Sequence, residues 1–127
     1  MLDRIDIQIE VPRIPYEELD SQTLPEPSIK IQQRITKARH LQQLRLANHQ
    51  LNCNAHMGPR ETRLYCQLSP NANGFLKNAF TRLHLSARVT DRIKKLARTI
   101  ADLANQELIE VDHIAEAIKL RSLDRTI

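Results

Sequence analysis

The sequence is poor in glycine and in aromatic residues. Its 127 residues include two glycines, two tyrosines, two phenylalanines and no tryptophan. Glycine builds the tight turns and phosphate-binding loops of many β-rich and α/β enzymes, and aromatic side chains are enriched in strands. Their scarcity therefore favours a single, mainly helical domain with an aliphatic core.

Long apolar runs are also missing. No stretch approaches the roughly 20 consecutive apolar residues of a membrane span, and no secretory signal is evident. The two cysteines, Cys53 and Cys66, do not suggest a disulfide framework. We therefore expect a cytoplasmic protein without a membrane partner.

Motifs of an enzyme active site are absent as well. The chain has no Gly-x-Ser-x-Gly, no His-Glu-x-x-His and no Gly-x-x-x-x-Gly-Lys-Ser/Thr motif. Gly58 and Gly74 stand alone, so no glycine-rich loop is available to surround a triphosphate. We expect this chain to have no activity by itself.

One loose group of residues has the chemistry of zinc ligands. It comprises His49, Cys53, His56 and Cys66. Their spacing contains no repeated Cys-x-x-Cys or His-x-x-x-His pair, so a polar loop with a buried cysteine is the favoured interpretation. We predict no metal site here.

Charge is distributed unevenly along the chain. The net charge of +4 is the balance of −5 over residues 1–27, +12 over residues 28–98 and −3 over residues 99–127. A basic central region favours an anionic partner, such as nucleic acid or the phosphates of a nucleotide. A solvated helical surface balanced by the acidic ends explains the charge equally well.

The N-terminal region is predicted to hold one strand and a linker. Residues 4–12 alternate Ile or Val with polar residues, which is the pattern of a strand with one buried side. A lone strand has nothing to pair with, so we expect residues 1–12 to be the remnant strand of a larger sheet. Residues 13–27 combine prolines with acidic residues and predict an exposed linker.

Residues 28–127 carry the patterns of about five helices, which predict a helical bundle. The first begins with Ser28 as its N-cap and runs to about residue 46–48, with an apolar stripe at Ile31, Ile35, Ala38 and Leu41. The others cover about 60–67, a segment opened by Ser69-Pro70, about 87–105 after an N-cap at Ser86, and about 111–124. On the first helix, an anion or DNA is expected to contact Arg34, Lys37 and Arg45.

Several segments resemble a known ATPase family. Residues 2–12, Leu-Asp-Arg-Ile-Asp-Ile-Gln-Ile-Glu-Val-Pro, are similar to the end of the ATPase core in magnesium chelatase-like AAA+ proteins. Residues 85–88, Leu-Ser-Ala-Arg, and 97–103, Ala-Arg-Thr-Ile-Ala-Asp-Leu, resemble the C-terminal helical lid of that group. Together with residues 121–125, they match best the YifB/ComM branch of magnesium chelatase-related competence proteins.

The resemblance implies roles for two arginines. An arginine placed like Arg4 acts in trans as a finger on the ATP of the neighbouring subunit, and one placed like Arg88 is the lid sensor of the γ-phosphate in its own subunit. A helix N-terminus with a nearby arginine is also a natural anion site, which agrees with the second role.

Arg98 and Asp102, spaced i and i+4, are expected to pair on the helix surface or at a packing seam.

The resemblance also implies what surrounds this segment. The nucleotide-binding motifs of the family are missing, so we expect the chain to be the lid of a longer parent ATPase that uses ATP and Mg²⁺. Such a parent forms a hexameric ring with other copies of itself and acts on DNA. The chain alone is expected to hold no cofactor.

Two alternatives stay open at this stage. The first is a basic helical nucleic-acid-binding module that works independently of ATP, which the +12 region favours and the scarcity of aromatic residues disfavours. The second is a true chelatase subunit that drives magnesium insertion into a porphyrin, although the lid motifs fit the chelatase-related branch better.

Overall fold

The computed structural model describes residues 5–13, 15–19 and 25–121. In them the chain forms six α-helices: α1 Tyr16–Leu19, α2 Ser28–Leu46, α3 Pro59–Tyr65, α4 Pro70–Arg82, α5 Ala87–Leu103 and α6 Val111–Lys119. Two single 3-10 turns, Ala47–His49 and Asn54–His56, lie between α2 and α3. The five longer helices confirm the predicted mainly helical bundle.

Serine caps and prolines set where two of the helices begin. The hydroxyl of Ser69 accepts the backbone N–H of Ala72 at 3.1 Å, and Pro70 occupies the first turn of α4. The hydroxyl of Ser86 accepts the N–H of Val89 at 3.1 Å, so the predicted N-cap of α5 is confirmed. The predicted cap at Ser28 is wrong, because α2 already includes Ser28 and no side chain caps its start.

The core lies where α6 packs against α4 and α5, and where the second half of α2 packs against α5. It is aliphatic, as the composition predicts, and small side chains on α5 and α6 let these helices approach closely. The buried residues are Leu46, Met57, Cys66, Ala72, Leu76, Leu85, Ile93, Ala97, Ala101, Ile109, Ile114 and Ala117.

Helix α2 is buried along its second half only. Ala38, Gln42 and Leu46 are buried, whereas Ile31 and Ile35 of the predicted stripe are exposed. The predicted stripe is wrong at Ile31 and Ile35, because among the described residues no element packs on the first half of α2, and it omits the buried Gln42. Periodicity predicts the face of a helix and does not predict how far a neighbouring element extends along it.

The predicted strand at the N-terminus is wrong for the described residues 5–11. They form no strand, and the side chains expected to be buried, such as Ile7 and Ile9, are exposed. The residue that is buried is Gln8, whose backbone N–H donates to the carbonyl of Leu120 at 2.5 Å. A lone strand has no ladder partner, so this segment docks on the helices through its polar face instead.

A short parallel bridge ties two connections together. Leu68, between α3 and α4, pairs with Ile109, between α5 and α6. The N–H of Ser69 donates to the carbonyl of Ile109 at 3.0 Å, and the N–H of Ile109 donates to that of Gln67 at 3.0 Å. The bridge holds the start of α6 against α4.

The last helix is shorter than predicted. It ends at Lys119, with Leu120 as its cap, and residues 122–124 of the predicted helix lie outside the described part of the chain. Within the described ranges, no helix combines the length and the apolarity that crossing a membrane requires.

Candidate functional site

Helix α5 carries both arginines of the sequence motifs, one in its first turn and one in its second half. Arg88 lies in its first turn and Arg98 lies near its end, ten residues further on. Arg88 is exposed, whereas Arg98 is only 2% exposed. The two arginines therefore belong to different environments on one rigid element.

The start of α5 combines an exposed arginine with a capped helix N-terminus. The N–H groups of Ala87 and Arg88 precede the first hydrogen-bonded turn of the helix, so they point out of its end. The first turn contains no acidic residue, and Ser86 already satisfies the N–H of Val89. The partial positive charge of the helix end and the guanidinium of Arg88 thus act in the same region.

Arg98 is held by backbone oxygens and one carboxylate. Its Nη1 donates to the carbonyl of Glu107 at 2.7 Å and to that of Tyr65 at 3.3 Å, and its Nη2 donates to the carbonyl of Gln106 at 2.6 Å. Its Nε lies 3.3 Å from Oδ1 of Asp102. The predicted pairing of Arg98 with Asp102 is therefore confirmed, and it occurs at a packing seam.

Asp102 is the centre of a wider polar cluster. Arg45 on α2 donates two parallel hydrogen bonds to it, Nη1 to Oδ2 at 2.9 Å and Nη2 to Oδ1 at 2.7 Å. Asn54 donates to Oδ2 at 3.0 Å and accepts from Arg45 at 3.2 Å. We call Arg45, Asn54, Arg98 and Asp102 the Asp102 cluster; it joins α2, the following loop and α5.

The two arginines of the Asp102 cluster are shifted in opposite directions. The hydrogen bond to Asp102 raises the pKa of Arg45, whereas burial, partly offset by Asp102, lowers the pKa of Arg98. Arginine is the most basic side chain in proteins, so both guanidinium groups stay charged at neutral pH. With Asp102 buried between them, the cluster is a structural ion network.

The three basic residues predicted as anion or DNA contacts have different surroundings. Arg34 forms a two-bond pair with Glu26, at 2.5 and 3.0 Å, on the exposed face of α2. Lys37 is exposed. Arg45 belongs to the Asp102 cluster. Its contact with an anion or DNA stays a prediction, and that contact requires the Arg45–Asp102 pair to open. Arg4, the predicted finger, lies outside the described residues.

The four zinc-ligand candidates are not brought together. Nε2 of His49 hydrogen-bonds the hydroxyl of Tyr65 at 2.8 Å, and Cys66 is buried in the core. Burial raises the pKa of the Cys66 thiol to about 11. In the described ranges, no three His, Cys, Asp or Glu side chains are close enough to share a metal ion.

Sequence reasoning missed the contributions of Arg45 and Asn54 to the site. An i, i+4 spacing indicates the Arg98–Asp102 pair, but Arg45 is 57 positions from Asp102 and Asn54 is 48 positions from it. The cluster also borders an open cleft of about 640 Å³, on whose walls lie Leu41, Leu64 and Leu108. No local pattern connects these positions.

Comparison with known families agrees with the helical fold. The family model described as magnesium chelatase, subunit ChlI C-terminal, matches residues 25–121, which contain α2 to α6. The chain belongs to this magnesium chelatase C-terminal family. Its helices are the C-terminal lid bundle of that family.

Individual relatives place the chain in the ComM/YifB branch of the family. It is 35% identical over 127 residues to the competence protein ComM of Haemophilus influenzae and to the uncharacterized protein YifB of Escherichia coli. It is 33% identical to YifB of Salmonella typhimurium. Each alignment covers 99% of this chain and 24% of the relative, so the chain spans about a quarter of the relatives' length.

Proposed function

We propose that this chain is the nucleotide-sensing lid of an AAA+ ATPase. Arg88 contacts the γ-phosphate of ATP bound in the same subunit and so couples the nucleotide state to the angle of the lid. The observation that carries the proposal is the start of α5, where an exposed arginine lies at a capped helix end whose first turn lacks acidic residues. Membership of the magnesium chelatase C-terminal family supports it.

The proposed chemistry depends on charge. Phosphoryl transfer spreads negative charge over the equatorial oxygens of the γ-phosphate, and preplaced cations stabilise that charge. In this proposal, Arg4 supplies a second cation to the site of a neighbouring subunit in a hexameric ring. ATP and Mg²⁺ are held by the ATPase core of a longer cytoplasmic protein, and the motor remodels DNA.

ATP turnover of the full-length protein tests the role of Arg88. We expect Arg88→Ala to lower turnover about 100-fold or more, as removal of one transition-state donor does. Arg63→Ala removes the same charge from an exposed position on α3 and serves as the matched control, with turnover expected to change less than twofold. Equal turnover in Arg88→Ala and Arg63→Ala removes Arg88 from the mechanism.

A second candidate function is DNA binding by α2. The helix contains five Lys or Arg residues and no acidic one, and most of its first half is exposed. Phosphate contacts by such a helix give an affinity that falls steeply with salt. The same helix can serve a DNA-remodelling motor or a module that needs no ATP.

Salt titration of DNA binding tests this second function. We expect Lys37→Ala and Arg39→Ala each to reduce the slope of log affinity against log salt by about 1. Lys119→Ala, which removes an exposed charge from α6, is the control. If all three variants have the slope of the parent chain, then α2 makes no phosphate contact. If binding persists without ATP while Arg88→Ala leaves turnover unchanged, the independent module is the better description.

A further inference from the structure

Asp6 lies where α5 meets the end of α6. Its Oδ1 accepts a hydrogen bond from Nη1 of Arg121 at 2.9 Å and lies 3.6 Å from Nη1 of Arg92. The side chain of Arg121 is only 3% exposed, so this carboxylate faces a largely buried cation. Charge-assisted contacts of this kind are stronger than those between neutral groups.

A second contact fixes the same segment two residues later. The backbone N–H of Gln8 donates to the carbonyl of Leu120 at 2.5 Å, and its side-chain Nε2 donates back to the carbonyl of Ile5 at 3.2 Å. Gln8 is buried by this arrangement. Residues 5–8 are therefore held on the helices by the ion pairs of Asp6 with Arg121 and Arg92 and by the backbone hydrogen bond of Gln8.

The segment has two different faces. Asp6 contacts the helical bundle through its carboxylate and Gln8 through its backbone N–H, while Ile5, Ile7 and Ile9 are 44–65% exposed. An apolar row left exposed beside a docked polar face suits a segment that packs on two bodies. The bundle is one of them, and the ATPase core of the proposed function is the other.

From this arrangement we propose that Asp6 is a positioning residue that couples the segment bearing Arg4 to helix α5. Arg92 follows Arg88 by one helical turn on the same side of α5, and Asp6 follows Arg4 by two residues. A rotation of the lid at Arg88 would displace Arg92 and Arg121, and with them the carboxylate they hold. Asp6 contacts no nucleotide in this scheme, and the scheme rests on the proposed function.

Hydrogen exchange in the 127-residue chain tests the anchor separately from any ATPase. We expect Asp6→Asn to lower the protection of the Gln8 amide about tenfold, since loss of a charge-assisted contact loosens the segment locally. Glu10→Gln removes a charge from an exposed position of the same segment and is expected to leave that amide unchanged. Equal protection of the Gln8 amide in the parent, Asp6→Asn and Glu10→Gln chains overturns the anchor.

ATP turnover of the full-length protein tests the coupling. We expect Asp6→Asn to lower kcat about tenfold with KM for ATP within twofold, because Asp6 positions a finger and binds no ATP. Asp6→Glu keeps the carboxylate and should restore part of kcat, which a merely structural loss would not do. An unchanged kcat in Asp6→Asn overturns the coupling even where Arg88→Ala abolishes turnover. Normal turnover in Arg88→Ala instead overturns the proposed function, and the exchange result stands by itself.

Discussion

Arg88 and Arg98 lie on one helix, ten residues apart, in opposite surroundings. Arg98 donates to three backbone carbonyls and is paired with Asp102, and the Asp102 cluster ties α5 to α2 and to the loop after it. Arg88 is exposed at a helix end that has no acidic residue in its first turn. A buried arginine whose terminal nitrogens are bonded to backbone carbonyls stabilises a fold, whereas an exposed one at a helix N-terminus is available to a ligand.

The largest expected effect on stability is at Asp102, near the buried C-terminal end of α5. Asp102→Ala leaves Arg45 and Arg98 without their carboxylate, and we expect the free energy of unfolding to fall by about 3–5 kcal/mol, because uncompensated buried charges are costly. Chemical denaturation followed by circular dichroism measures it. Asp91→Ala, on the same helix, removes a half-exposed partner of Lys95 and should cost less than about 1 kcal/mol. Equal losses of unfolding free energy in Asp102→Ala and Asp91→Ala would contradict the claim that the buried ion network stabilises the fold more than an exposed ion pair does.

A smaller effect on stability comes from the thiol of Cys66 and depends on pH. Cys66 lies in the core near Arg98 and Arg45, and burial raises the pKa of its thiol to about 11 from an ordinary value of 9.0. The unfolded chain therefore releases this proton first as pH rises. The contribution of the thiol to the free energy of unfolding is fully present below pH 9 and is lost between pH 9 and about 11. We expect a loss of up to about 3 kcal/mol across this window.

Two cysteine variants separate this contribution from other groups that titrate at high pH. The decline should flatten in Cys66→Ala and persist in Cys53→Ala, because Cys53 is only half-buried. Denaturation curves at intervals of pH from 8 to about 11 give the comparison. A Cys66→Ala chain that loses as much stability as the parent would show that the thiol is not protected by the core.

At the exposed end, the expected effect on stability is moderate and comes from the cap. Ser86→Ala removes the acceptor of the Val89 N–H, and we expect a loss of about 1 kcal/mol in the free energy of unfolding. Ser86→Asp keeps an acceptor and should retain most of the stability. If both variants unfold at the same denaturant concentration, the cap observed at Ser86 does not contribute to the start of α5.

The smallest effect on stability is expected at Arg88 itself. The side chain is exposed, and we expect Arg88→Ala to change the free energy of unfolding by less than about 0.5 kcal/mol. Denaturation of the 127-residue chain beside Arg63→Ala measures this. A loss of several kcal/mol would mean that Arg88 is as structural as Arg98, and the contrast along α5 would disappear.

Local sequence patterns predicted most of the helices. Ser69 and Ser86 marked two starts because a short hydroxyl side chain satisfies an N–H that the helix leaves unpaired. The spacing of Arg98 and Asp102 indicated their pair for a similar reason, since residues four apart share a helix face. These signals act within a few residues and need no knowledge of the rest of the fold.

Other features depended on contacts that are distant in sequence. Arg45 reaches Asp102 only because the second half of α2 packs on α5, and no period along α2 distinguishes this arginine from its neighbours. The alternation in residues 4–12 was a sound strand pattern, but a strand needs a pairing partner. In its absence, Asp6 and Gln8 dock on the helices through the polar face that the pattern assigned to solvent.

The role of Arg88 is tested most directly by comparing nucleotide affinities of the full-length protein. A γ-phosphate sensor contacts a group that ATP has and ADP lacks, so Arg88→Ala should weaken binding of a non-hydrolysable ATP analogue about tenfold or more. Binding of ADP should stay within twofold of the parent protein. Unchanged binding of both nucleotides, or an equal loss for both, would contradict the assignment of Arg88 as the sensor.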